Sequence, residues 1–179
     1  MQNVVVSSIP LRPWLKQALR ITDESEDGDL LCISSSRNAP GHKTPSTVHA
    51  GRVPFIRGYY VGVGDLFSSF IVAHYKPSTP TLTANAKLLD TASGETPLSR
   101  AVTAALTKTH AILSATNEYW KQQPEEERQP TDDEADAKDA DRVVRRMRGR
   151  ELRLIQSQDV IRGTTLPIER KMSLWSDFW

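Results

Sequence analysis

Cysteine occurs once, at Cys32, which excludes an internal disulfide framework and any multi-cysteine zinc site. Long apolar runs are missing too. The longest, around Phe70 to Ala73, is far below the roughly 20 residues that a bilayer crossing needs. Met1-Gln2-Asn3-Val4 supplies neither the basic nor the apolar region of a secretory signal. An excess of charge of one sign is almost absent, since the formal net charge is +1, and no global field draws the chain to nucleic acid or anionic membrane. What is present describes a globular protein: 38% hydrophobic and 25% charged residues over 179 positions, about one domain by length. The expectation is a soluble protein of a reducing, cytoplasmic compartment, with no nucleic-acid or membrane partner.

The small net charge hides strong segregation. Acids crowd the stretch from Glu118 to Asp141, opposed only by Lys121, Arg128 and Lys138. Arg142, Arg145, Arg146, Arg148, Arg150 and Arg153 follow at once. The segment 122–141 has almost no large apolar residue and contains Pro124 and Pro130, so disorder is expected there. The arginine run has no interleaved aromatics for stacking on bases. A solvated helix face beside a compensating acidic loop is the better reading.

Three apolar runs, Asn3 to Val6, Leu30 to Ser34 and Val53 to Ile56, predict strands. The first two lack alternation, which suits strands covered on both faces. Pro54 marks the third as an edge or irregular strand. Ser34 to Ala50, rich in Ser, Pro, Gly and His, predicts a mobile loop. Apolar positions at Leu66, Phe67, Phe70, Ile71 and His74 predict a helix over Asp65 to Tyr75. Thr96-Pro97 opens a second helix as N-cap and first helical proline, with a 3.6-residue stripe running to Thr116. Between them lies a loop with a short helix at Leu82 to Leu88. Strands interleaved with helices give an α/β class.

Chemistry concentrates in Gly58-Tyr59-Tyr60-Val61-Gly62-Val63-Gly64-Asp65-Leu66-Phe67. Glycines just before an amphipathic helix expose backbone N–H groups at its positive end, an anion site. Without β-carbons at Gly62 and Gly64, a phosphate can approach the backbone closely. Asp65 at that end suits acceptance of a proton from an attacking hydroxyl better than simple phosphate holding. A dinucleotide fingerprint needs glycine where Phe67 stands, and a P-loop needs Lys where Asp65 stands. Both fail. On spacing alone, a phosphate loop and an ordinary glycine turn capped by Asp65 both stand.

Gly62-Val63-Gly64-Asp65-Leu66-Phe67-Ser68-Ser69 resembles the Gly-Thr-Gly-Asp box of ribokinase-like sugar and vitamin kinases, in its pyridoxal kinase form. Val4-Val5-Val6-Ser7-Ser8 resembles the strand ending in Thr-Ser that touches ATP in that family. Glu151-Leu152-Arg153-Leu154-Ile155-Gln156-Ser157 resembles their Glu-Leu-Arg run near the C-terminus. The three agree in order and spacing, and eukaryotic, fungal-type members fit best. The resemblance implies a three-layer α/β/α ribokinase-like fold. It also implies MgATP-dependent phosphorylation of the 5′-hydroxymethyl group of pyridoxal, pyridoxine or pyridoxamine, and a homodimer. Asp65 matches the catalytic base, which also holds the substrate hydroxyl. Gly62, Val63 and Gly64 match the phosphoryl-stabilising loop. Ser7, Ser8, Val53 and Ile56 match the nucleotide site. The family has threonine where Val63 stands, which puts any hydroxyl contribution at that position in doubt. Family members are close to twice this length, so residues 1–179 correspond to the C-terminal part of one kinase domain. No kinase activity is expected of the chain by itself. A catalytically silent nucleotide- or partner-binding fragment, and a hydroxymethylpyrimidine-type kinase, are the alternatives.

Other residues read as structural. Cys32 suits a small core position. His42 and His49 lie in the expected loop with no second ligand at metal spacing, while His74 and His110 fall on helices. Tyr59 and Tyr60 either line the nucleotide site or pack. Trp175, Phe178 and Trp179 form an aromatic tail that either docks on the sheet or hangs free.

Overall fold

β-Branched and aliphatic residues start each long strand, and the pleat then sorts their neighbours between two faces. The structure, a computed structural model, describes residues 2–22, 28–77, 94–163, 167 and 170–179. Contacts divide the chain into two units. One comprises Met1–Phe55, Phe67–Thr107 and Pro167–Trp179; the other comprises Ile56–Leu66 and Lys108–Leu166.

The first unit is built on a sheet of β1 (Asn3–Pro10), β2 (Asp29–Arg37), β3 (Ser46–Pro54) and β4 (Ser173–Leu174), in that spatial order. Every pairing is antiparallel. In β2, Leu31 and Cys32 point to opposite faces and are both fully buried, so this strand is covered on both sides as its pattern implied. β1 departs from that expectation. It sits at the sheet edge with Val4 and Val6 exposed, because it pairs on one side only. The expected loop Ser34 to Ala50 also resolves differently: β2 and β3 pair in unbroken register from Asp29↔Pro54 to Arg37↔Ser46. Only residues 38–45 turn. Asn38 organises that turn, donating from Nδ2 to Thr44 O (3.1 Å) and accepting from Thr47 Oγ1 (2.7 Å). Small polar residues such as Ser34 to Ser36 therefore belong to a strand, where cross-strand pairing supplies what composition alone does not. The third expected strand is likewise the end of β3, an interior strand, with Phe55 and Ile56 beyond it.

α1 (Pro13–Ala18) packs Leu15 against Leu31 and Ala50 on one sheet face, with Ile9, Leu11, Leu19, Ile33 and Trp175 around them. Its end is a Schellman closure: Arg20 N–H bonds Gln17 O and Ile21 N–H bonds Lys16 O. Arg20 takes the left-handed φ of +54° there. The aromatic tail docks. Trp175 N–H bonds Val48 O, Trp175 and Phe178 meet edge to face, and Trp179 Nε1 donates to Ser46 O at 3.0 Å.

α2 (Val63–His74) and α3 (Pro97–Lys121) each run from one unit into the other. Within the first unit, α2 buries Phe67 and Phe70, and α3 buries Leu98, Ala101, Val102, Ala105 and Leu106. Thr96 and Ser99 cap α3 reciprocally: Ser99 N–H bonds Thr96 Oγ1 (3.0 Å) and Thr96 N–H bonds Ser99 Oγ (2.9 Å). The short helix expected at Leu82 to Leu88 lies outside the described residues.

In the second unit, the segment expected to be disordered carries a 3₁₀ turn at Glu125–Glu127 and α4 (Asp133–Lys138), followed by α5 (Ala140–Arg148) and α6 (Gln158–Arg162). The acidic and basic runs are each other's partners. Asp136 bridges Arg142 and Arg146, the latter nearly buried, and Asp139 holds Arg145 at 2.5 Å. The adjacent guanidinium groups hold the Asp136 carboxyl down at about 2, the Arg146 hydrogen bond contributing most. The segment buries little apolar surface, and ion pairs join its charged residues instead.

Candidate phosphate-binding loop

The loop before α2 belongs to the second unit. Gly62 takes φ +82°, a conformation that disfavours any residue with a β-carbon. Leu66 N–H bonds Gly62 O and closes the first turn of the helix. Val63, Gly64 and Asp65 are the first three helical residues, at the positive end of the α2 dipole. Asp65 is exposed there. Gly64 differs from Gly62 in an informative way. Its φ is unexceptional, and a β-carbon built on it would meet no atom within 4 Å. Glycine near a helix start costs about 1 kcal/mol against alanine, and neither its φ nor packing among the described residues requires it.

The same unit frames this loop. A β-carbon on Gly62 would lie 3.9 Å from Leu152 Cδ1. Tyr60 donates to Asn117 Oδ1 at 2.8 Å, which ties the loop to α3. Burial raises the Tyr60 hydroxyl above its ordinary value, against the opposing pull of Arg150 and Lys121. Arg153 lies 3.8 Å over the Tyr119 ring and Arg150 lies 5.0 Å over Trp120, both cation–π contacts. Thr116 Oγ1, fully buried, donates to Ile112 O and accepts Arg153 N–H at 3.1 Å. The run beginning at Glu151 is thereby fixed beside α3 and the glycine loop. Sequence reasoning matched that run by resemblance but gave it no role; its signal was the arginine–aromatic spacing.

Ser7, Ser8 and Val53 belong to the first unit, and Ile56 with Gly62, Val63, Gly64 and Asp65 to the second. Ser7 and Ser8 form a β-bulge: Val6 pairs with Ile33 and Ile9 with Leu31, so both serines oppose Cys32 alone. Both are exposed, and Ser8 holds φ +59°. A non-glycine residue kept in that conformation within a strand is a strain of the kind that collects at functional sites. Val53 is half-buried opposite Leu30, and Ile56 is half-buried just past the strand. His49, expected in a solvated loop, is instead buried in β3, where Nε2 donates to Gly94 O at 2.9 Å. Cys32 is buried as expected, and burial pushes its thiol up to about 12, which makes it inert. Among the described residues, no group of three or more His, Cys, Asp or Glu stands together to hold a metal ion. No helix among them is long and apolar enough to cross a membrane.

No protein-family model and no curated protein matches the sequence. Solved structures do. The chain resembles a pyridoxal kinase from Leishmania donovani in complex with ADP and pyridoxamine, with TM-score 0.51 and 18% identity, over 97% of this chain and 39% of that one. A pyridoxal kinase from Trypanosoma brucei is similar at TM-score 0.46 and 15% identity, over 95% of this chain and 39% of that one. The chain thus spans about two fifths of the length of these neighbours. At such identity the likeness to the Leishmania enzyme shows the fold alone: the mixed α/β fold of part of that enzyme.

Proposed function

We propose that this chain is the nucleotide-side part of an ATP-dependent kinase that phosphorylates the 5′-hydroxymethyl group of B6 vitamers. The observation that supports it is the left-handed turn at Gly62 leading directly into the start of α2, in a chain with this fold. Backbone N–H groups of Gly62, Val63 and Gly64 stabilise charge on the transferring phosphoryl group, and the helix dipole adds to them. Asp65 accepts the proton of the attacking hydroxyl, a role that contributes about 10²–10⁴-fold. In this reading the exposed hydroxyls of Ser7 and Ser8, at the bulge of β1, contact the nucleotide. Val53 and Ile56 flank the nucleotide. Mg²⁺ enters with ATP in this reading.

Gly64→Ala tests the loop directly. Alanine should stabilise the fold by about 0.5–1 kcal/mol and weaken binding of a fluorescent ATP analogue at least tenfold. Asp65→Asn should spare that binding. In a chain that contains the rest of the kinase fold it should cut pyridoxal phosphorylation by about 10²–10⁴-fold. Unchanged analogue affinity in Gly64→Ala would remove the phosphate cradle. The covered length of about two fifths favours a second reading, a fragment that binds nucleotide without turnover. It is distinguished by analogue binding to the 179-residue chain with no pyridoxal conversion.

A further inference from the structure

Two consecutive residues of α3, Thr116 and Asn117, hold both sides of the glycine loop. Residues 55–62 belong to no helix or strand, and Gly58 and Gly62 both take a positive φ. Such a segment has wide backbone freedom unless something outside it restrains it. The restraint is Tyr60, whose hydroxyl donates to Asn117 Oδ1 at 2.8 Å across 57 residues of sequence. Gly58 makes room for that ring: a β-carbon there would meet Tyr60 ring atoms at 2.9 and 3.1 Å. Tyr59, its neighbour, is 65% exposed, so Tyr60 is the tyrosine that packs. On the other side of the turn, Leu152 lies beside Gly62, and the next residue, Arg153, bonds through its N–H to Thr116 Oγ1 at 3.1 Å. Thr116 is itself fixed by its hydroxyl bond to Ile112 O. All these groups lie in the second unit.

We infer that Asn117, acting through Tyr60, is a positioning residue for the glycine loop and governs the phosphate-dependent part of nucleotide affinity. The inference rests on the nucleotide reading above and adds to it a pair of residues outside the glycine motif. A loop already held at Tyr60 has less freedom to lose when it closes on a polyphosphate, so the tether strengthens binding by preorganisation and not by touching the ligand. A phenol and a carboxamide suit that task, because neither places a negative charge beside a phosphate. Adenosine has no phosphate to engage the loop, so its binding is independent of the tether.

The test uses the isotope-labelled 179-residue chain as wild type, Tyr60→Phe, Asn117→Ala and the double variant. Tyr60→Phe keeps the ring beside Gly58 and removes only the donor, so the fold tolerates it. Without ligand, backbone order parameters at Gly62 to Asp65 should fall from about 0.85 in wild type toward about 0.6 in each variant, while those of β2 and β3 stay as they are. A fluorescent ATP analogue should bind about three- to tenfold more weakly to either single variant. The double variant should be no weaker than the weaker single one, because each substitution removes the same bond. Adenosine should compete equally well for every variant. Unchanged order parameters in Tyr60→Phe would overturn the tether, whatever the nucleotide result. Losses that add in the double variant, or adenosine weakening in step with the analogue, would overturn it as well. A wild-type chain that binds no analogue would instead sink the nucleotide reading, and the order parameters would still decide whether Asn117 holds the loop.

Discussion

Protonation of His49 should make this protein acid-sensitive in a window where its carboxylates do not yet titrate. The ring is 1% exposed in β3. Nε2 is committed as donor to Gly94 O, and Nδ1 is buried with no hydrogen-bond partner among the described residues. Ser34, directly opposite in the register, is also buried, and its Oγ is equally unpartnered. Burial lowers the His49 pKa below 6.5, and the Gly94 hydrogen bond and the charge of Glu95 only partly oppose it. The sign follows. Above 6.5 the ring is neutral whether folded or unfolded, and its full contribution is present. As pH falls below 6.5 the unfolded chain takes a proton that the folded ring refuses. Stability is then lost until pH passes the lowered folded value. The limiting slope for one such proton is about 1.4 kcal/mol per pH unit. Urea denaturation at pH 7.5, 6.5 and 5.5, on wild type and on His49→Gln, measures it. Glutamine keeps a donor for Gly94 O and cannot titrate. Wild type should lose stability more steeply between pH 6.5 and 5.5 than the variant. Parallel slopes would show that His49 is not the group responsible and would refute the reasoning.

Two further substitutions probe the scaffold. Ser8→Gly removes the β-carbon from a left-handed backbone position and should hold or raise stability by up to about 1 kcal/mol, whereas Ser8→Val should lower it by about 1–2 kcal/mol. Denaturant midpoints would measure both, and a valine variant as stable as wild type would mean that the bulge relaxes freely. Gly51→Ala places a β-carbon 2.5 Å from Met172 Sδ and 3.4 Å from Leu106 Cδ1. Met172 is buried and has little room to swing, so a loss of about 1–3 kcal/mol is expected; thermal melts that overlay those of wild type would contradict that crowding.

Local signals were the most readable in the chain. Thr96-Pro97 announced the start of α3, and the capping exchange with Ser99 is a short-range event decided by residues three apart. The stripe of Phe67 and Phe70 announced the buried face of α2, and Gly62 announced a backbone turn that its φ of +82° requires. Readings that depended on a distant partner fared less well. Ser34 to Ala50 looked like a loop because its residues are small and polar, yet most of it pairs as a hairpin. In the segment 122–141, Asp136 finds its partners in Arg142 and Arg146, which composition counts but does not pair.

The order of glycines and aspartate before α2, and the fold class that surrounds them, were determined by the sequence alone, because turn and helix-start chemistry acts within a few residues. Which strand lies at the edge and where His49 and the aromatic tail are buried were decided only by the tertiary structure. Those features arise when residues far apart in the chain compete for the same sheet face, and no local preference records the outcome of that competition.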